Sequence, residues 1–235
     1  MIAYSERVLN IMMKDTLNIA FVNPPHADWS LANNMTYLMV QSHYNLVGKY
    51  KDKVNWIPAP YKWNKYESID EVWQEIKDAD LIMFSSYAWN YTILDDLCRH
   101  AKEQNPEVKT VIGGPHIGTN EKPLLDKRIQ LYDFICKPTK PGEPYMEDLI
   151  NSWFENDGKP VVEDIGWELR SLKGTKHSID TEVSVYEEHF DYLKETLEYA
   201  KANKMEPFMI IETTRGCPYK CVYCEWGGGI HTKII

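Results

Sequence analysis

The feature that most restricts the fold of this chain is a repeated alternation of short apolar runs with helical patterns across residues 1–154. Each run is too short for a helix and is stopped by proline, glycine or polar residues. Leu17-Asn18-Ile19-Ala20-Phe21-Val22-Asn23 ends at Pro24-Pro25, and Val54-Asn55-Trp56-Ile57 ends at Pro58 and Pro60. Asp80 to Ser85, Lys109 to Ile112 and Tyr132 to Cys136 are the other three runs. The third is continuously apolar rather than alternating, which predicts a strand buried on both faces. Between the runs the period changes to that of a helix. Residues 28–50 place Leu31, Met35, Leu38, Met39, Ser42 and Leu46 on one side and reach Gly48. Ser68-Ile69-Asp70-Glu71 has the form of a helix start with an acid three places on, followed by Val72, Trp73, Ile76 and Ala79. Residues 91–104 turn Ile93, Leu94, Leu97 and Ala101 inward and stop at Asn105-Pro106. Residues 121–128 read as a short helix, and Pro141-Gly142-Glu143-Pro144 opens another through Phe154.

This order predicts an α/β fold: a doubly wound, parallel, five-stranded sheet with helices on both faces. Such sheets take ligands in the crevice at the carboxyl ends of their strands. The loops expected there are Asn23-Pro24-Pro25, Ser85 to Asn90 and Gly113 to Gly118. Beyond the sheet, residues 155–180 are polar and carry several glycines, as a linker does. Thr181 to Lys204 predicts a charged helix with Val185, Tyr186, Phe190, Leu193, Leu197 and Ala200 on one side, lying on whatever domain follows. Phe208 to Glu212 begins a new strand. The expected divisions are 1–154 for the sheet domain, 155–205 for linker and connecting helix, and 206–235 for the start of another domain.

The formal net charge of -9 argues against a nucleic-acid surface. No apolar run approaches the ~20 residues that span a bilayer, and the N-terminus lacks the pattern of a signal peptide. Five cysteines, three of them crowded near one end, do not form a secreted disulfide framework. A cytoplasmic location is expected. Aromatic residues make up 12% of the chain, which suits either a ring-rich core or a large flat ligand packed among rings.

The three crowded cysteines, Cys217, Cys221 and Cys224, form a C-x3-C-x2-C pattern in Arg215-Gly216-Cys217-Pro218-Tyr219-Lys220-Cys221-Val222-Tyr223-Cys224. Thiolates are soft ligands for iron–sulfur clusters and for zinc. A structural zinc site requires four closed ligands, and His231 is the only nearby candidate for the fourth. A four-iron cluster held by three cysteines leaves one iron open to a chelating substrate. Gly216 permits a tight turn before the first cysteine. Tyr223 can lay its ring against a purine.

This stretch resembles the cluster loop of the radical S-adenosylmethionine (SAM) superfamily. The resemblance implies that Cys217, Cys221 and Cys224 bind a [4Fe-4S] cluster whose open iron holds SAM, with Tyr223 at the SAM. It also implies a 5′-deoxyadenosyl radical that abstracts hydrogen from a small-molecule substrate, and an electron donor such as flavodoxin or ferredoxin. The upstream domain resembles the cobalamin-binding, Rossmann-like domain that precedes the radical SAM barrel in one subgroup. The resemblance rests on Phe21 to Pro25, on Asp80 to Ser85 with Tyr87 and Trp89, on Val111 to His116, and on Asp133-Phe134-Ile135 followed by Gly142-Glu143. It implies cobalamin contacts from Asn23, Pro24, Ser85, Ser86, Tyr87, Gly113, Gly114 and His116. Gly113 and Gly114 are expected to let a bulky corrin side arm approach the backbone. The Asp-x-His-x-x-Gly motif that supplies a histidine to cobalt in some cobalamin proteins is absent, and His116 is expected to touch the ligand's tail or nothing. Only half of a Gly-Glu-Gly-Glu pattern is kept, as Lys140-Pro141-Gly142-Glu143.

The resemblance further implies a partial barrel of about six strand–helix units, whereas Ile235 lies soon after Cys224. The expectation is a fragment, a split product or a truncated relative, with a second chain completing the barrel. The leading function is that of a cobalamin-dependent radical SAM enzyme, methylation of an unactivated carbon being the commonest reaction implied. A corrinoid-binding module without chemistry of its own, and a zinc- or cluster-bearing interaction protein, are the readings from other classes.

Overall fold

A computed structural model describes residues 15–25, 35–117, 130–136, 142–160 and 184–207. The expected helix at 121–128, most of the linker, and the whole cysteine loop with Tyr223 lie outside the described residues.

Five strands form one parallel sheet: β1 (Leu17–Val22), β2 (Val54–Ile57), β3 (Leu81–Ser85), β4 (Lys109–Gly113) and β5 (Phe134–Ile135). Their spatial order is β2-β1-β3-β4-β5 and every pairing is parallel. The described helices are α1 (Met35–Val47), α2 (Ile69–Ile76), α3 (Tyr91–Gln104), α4 (Gly142–Glu155), the single turn α5 (Val185–Glu188) and α6 (Phe190–Ala202). The doubly wound parallel sheet expected from the sequence is the fold.

Strand alternation divides the apolar side chains between two cores. Ala20, Val22, Ile82, Phe84 and Ile112 face α2 and α3, meeting Val72, Trp73, Ile76, Leu94, Leu97 and Ala101. Leu17, Ile19, Phe21, Leu81, Met83 and Val111 face the other way, onto Tyr37, Leu38 and Tyr44 of α1 and Tyr145, Met146 and Leu149 of α4. Covered on both faces, β3 carries Leu-Ile-Met-Phe-Ser, all five residues buried. Cys98 belongs to the first core, where burial pushes its thiol up to about 12. Cys136 belongs to the second.

The helix starts follow local chemistry. Ser68 caps α2, its side chain accepting from the Glu71 amide at 3.3 Å, while the Glu71 carboxylate reaches back to the Glu67 amide at 2.8 Å. The His43–Glu147 pair at 2.9 Å joins α1 to α4, and Lys49, just past α1, pairs with Glu155 of α4 at 2.6 Å. Four expected inward positions differ. Leu46, Ile93, Phe190 and Leu197 are exposed. In α1 the buried set is instead Tyr37, Leu38, Val40, Ser42, His43 and Tyr44, because this helix is flanked by the sheet, α4 and α5. In α6 it is Thr196 and Ala200.

The connecting helix packs on the sheet domain. His189, between α5 and α6, is buried against Ser42 at 2.9 Å. Tyr192 donates to the Ala59 carbonyl, Tyr61 donates to Glu195, and Tyr199 donates to Asn64. The rings of Tyr37, Tyr61, Tyr192 and Tyr199 meet edge to face. Ala59, Tyr61 and Asn64 follow the carboxyl end of β2, so α6 climbs toward that rim of the sheet. It stops in a Schellman turn: Lys204 has φ +57, its amide bonds Lys201, and the Met205 amide bonds Ala200.

Candidate functional site

The crevice follows from the strand order. The chain leaves β1 toward β2 on one side and leaves β3 toward β4 on the other, so the two exits part at the β1/β3 junction. Register brings the expected residues together there. Val22 pairs with Phe84 and Ser85 pairs with Gly113. Asn23 and Pro24 therefore emerge beside Ser85 and Ser86, with Gly113 and Gly114 on the far side. All eight residues expected at the carboxyl rim lie on these three adjacent exits.

They form two levels. Asn23, Pro24, Ser85 and Ser86 are buried and make a floor. Tyr87, Gly113, Gly114 and His116 are half-buried above it. Trp89 and Tyr91 stand out at 44% and 39% exposure. The Tyr87 and Trp89 rings stack with centroids 4.5 Å apart and planes 14° apart, and Tyr91 stacks on His116 at 4.8 Å. The described part of the rim is thus aromatic.

Gly114 meets a demand of the fold itself. Its φ is +99, and a Cβ there would sit 2.6 Å from the Ser86 carbonyl oxygen and 2.7 Å from its nitrogen. A Cβ at Gly113 would meet the Cys136 Cβ at 3.2 Å. Both absent side chains make room for the protein's own chain: at Gly114 the β3 and β4 exits touch backbone to backbone, and at Gly113 the Cys136 side chain packs close. The Ser86 amide donates to Gly113 at 2.7 Å, and the Ser86 carbonyl accepts from His116 at 3.0 Å. The 3-10 turn Pro115–Ile117 is built on that contact.

The sequence reads Asn90 only as the end of a loop. It is 1% exposed and ties the β1 exit to the β3 exit. Its Nδ2 lies 3.1 Å from the Pro24 carbonyl, 3.1 Å from the Ser85 carbonyl and 3.3 Å from Asn23 Oδ1. Its Oδ1 accepts from the Tyr87 amide at 2.8 Å. Nothing local announces this, since the β1 partners are far away in sequence.

The polar floor is turned to the protein's own chain, and the surface left for a ligand is the stacked Tyr87–Trp89 pair, which suits a large flat group. Among the described residues, no cluster of three or more His, Cys, Asp or Glu side chains could hold a metal ion.

Residues 53–142 match the B12 binding domain family, a segment that contains β2 to β5 and the start of α4. The central strand β1, with Asn23 and Pro24, precedes that segment. The fold over that segment is doubly wound, and the segment is similar to the B12 binding domain family. More particularly, the chain is 25% identical over 174 residues to the cobalamin-dependent radical SAM methyltransferase TokK of Streptomyces tokunonensis, covering 71% of this chain and 25% of the relative. It is 24% identical over 190 residues to the 2-(S-pantetheinyl)-carbapenam-3-carboxylate methyltransferase of Streptantibioticus cattleyicolor, covering 72% and 25%. The chain spans about a quarter of the length of these curated relatives. Among the described residues no helix is long and apolar enough to cross a membrane.

Proposed function

We propose that this chain is the cobalamin-binding portion of a radical SAM methyltransferase acting on a small molecule. The observation that carries the reading is the convergence of three strand exits at the β1/β3 switch point, within and beside the segment that matches the B12 binding domain family. Tyr87, Gly113, Gly114 and His116 would face the ligand, with Trp89 beside them; Asn23, Pro24, Ser85 and Ser86 would support it from below. Cobalamin, when bound, supplies a methyl group in transferable form. The chain's own residues hold the flat ligand at the rim and exclude water from one side.

We assign the [4Fe-4S] cluster to Cys217, Cys221 and Cys224 and the SAM contact to Tyr223, in a domain beginning near residue 206. Their support is the spacing of the cysteines and the name of one relative, the cobalamin-dependent radical SAM methyltransferase TokK. The course of α6 adds to it, because that helix ends beside the 61–64 segment at the carboxyl rim of β2 and so carries the chain toward the crevice side. The partners proposed are a small-molecule substrate and a protein electron donor of the flavodoxin or ferredoxin kind, in the cytoplasm.

Anaerobic reconstitution with iron and sulfide, followed by titration with hydroxocobalamin, tests the assignment. A brown protein that also binds cobalamin with micromolar or better affinity is the expected outcome. Cobalamin binding without a cluster leaves a corrinoid module. One bound zinc and no cobalamin overturns the proposal.

A further inference from the structure

We infer that Asn90 is a positioning residue that presets the crevice before cofactor enters; the inference rests on the cobalamin reading of that site. Asparagine at the first position of a helix ordinarily turns its side chain onto the helix's own amides. Asn90 occupies that position in α3 and makes no such side-chain cap. Its carbonyl still accepts the helical bond from Leu94 at 3.1 Å. The side-chain amide instead spans the switch point, from Pro24 and Asn23 on the β1 exit to Ser85 and Tyr87 on the β3 exit.

Only an amide fits this position. The nitrogen faces acceptors alone: two main-chain carbonyls and Asn23 Oδ1. The oxygen faces a main-chain donor, the Tyr87 amide. A carboxylate of the same shape would oppose the Pro24 and Ser85 carbonyls with a like partial charge, and rotation of the Asn23 amide could relieve one contact of the three. At 1% exposure no water shell is available to soften the conflict. The parted exits are the mouth of the crevice, so a lost crosslink appears as a smaller fraction of molecules with the mouth correctly spaced. Apparent affinity falls in proportion to that fraction. The Tyr87 amide bond also sets the start of the Tyr87–Trp89 stack, so the same crosslink fixes the aromatic face.

The test uses the full chain and hydroxocobalamin, with binding followed by tryptophan quenching at a temperature where each variant is folded. Asn90→Asp and Asn90→Ala are expected to weaken binding about tenfold or more, the scale of one buried polar group left unmet. Asp133→Ala, at the opposite end of the sheet, serves as the destabilised control and is expected to bind within about twofold of wild type. Equal losses in Asp133→Ala, or unchanged binding in Asn90→Asp, overturn the inference. A second measurement needs no variant. Hydrogen exchange at the Tyr87 amide is expected to be slow in the ligand-free protein and little changed by cobalamin. Free exchange that slows only on binding overturns a preset crevice. Failure of the wild type to bind cobalamin removes the functional reading and this role with it, whereas failure confined to the Asn90 comparison removes this role alone.

Discussion

The two ends of the sheet solve one problem in opposite ways. Each must satisfy main-chain groups where parallel strands stop. At the amino end the partners are charged. One oxygen of Asp133 takes Lys102 at 2.7 Å, the Thr110 amide at 2.8 Å and the Thr110 hydroxyl at 2.9 Å. Asp80 accepts from the Asn18 amide at 3.0 Å, and Asn18 donates to the Asp78 carbonyl at 3.0 Å. At the carboxyl end the same work falls to a neutral buried amide, Asn90, and to a glycine pressed against Ser86. Carboxylates are tolerable where water reaches them. Beneath an aromatic rim they would be costly, and they would repel a ligand's amide oxygens. The difference marks one end as scaffold and the other as site.

The largest expected effect that sharpens this contrast is Gly114→Ala. Forward φ and a Cβ within 2.7 Å of the Ser86 backbone are expected to cost about 3 kcal/mol or more, read by urea unfolding, with cobalamin binding lost together with stability. Asp133→Ala comes next, at about 1–3 kcal/mol, because it leaves the Thr110 amide and hydroxyl unmet. Binding should persist; a loss of cobalamin affinity there would break the contrast between the ends. The pH dependence is smaller. Burial holds His189 below the usual histidine range, against the pull of Glu188 and of a hydrogen bond to the Leu38 backbone. The folded state therefore binds fewer protons than the unfolded one near and below pH 6.5, the ordinary histidine value. Stability is fully present above that pH and falls as pH drops through it, levelling once the folded histidine also protonates. His189→Gln should flatten this part of a melting-temperature profile. Smallest is Lys204→Gly, expected to raise stability by about 0.5–1 kcal/mol by relieving φ +57 at an exposed helix end, as a thermal melt would show.

Much of this contrast lies beyond a one-dimensional pattern. Strand positions were legible because run length and Pro or Gly punctuation are local, and α3 falls on 91–104 as its period indicated. Helix faces were legible only in part. α1 is enclosed on several sides, so Tyr37, Val40 and Tyr44 are buried beside Leu38, while Leu46 at the stripe's edge meets solvent. In α6 the tyrosines decide the rotation, because each ring is packed and each hydroxyl finds a partner, which turns Phe190 outward at 63% exposure. The three exit loops were legible from topology, while the eight rim residues came from the family resemblance. Asn90 was not legible, since its partners Asn23 and Pro24 lie far back in the chain, and an asparagine before a helix reads as an ordinary cap. Gly113 and Gly114 were marked for a reason that concerned a ligand, and the nearest demand on them in the structure is from Cys136 and Ser86.

The Schellman turn at Lys204 has a consequence for kinetics. A flexible tether brings two parts of a chain together with an effective concentration set by its length. Here the segment arriving at Pro207 leaves a helix pinned by His189, Tyr192, Tyr199 and Glu195, and closed by two main-chain bonds. The launch point of everything downstream is therefore a coordinate of the sheet domain. Loosening α6 would free that launch point without altering a single residue of the sheet.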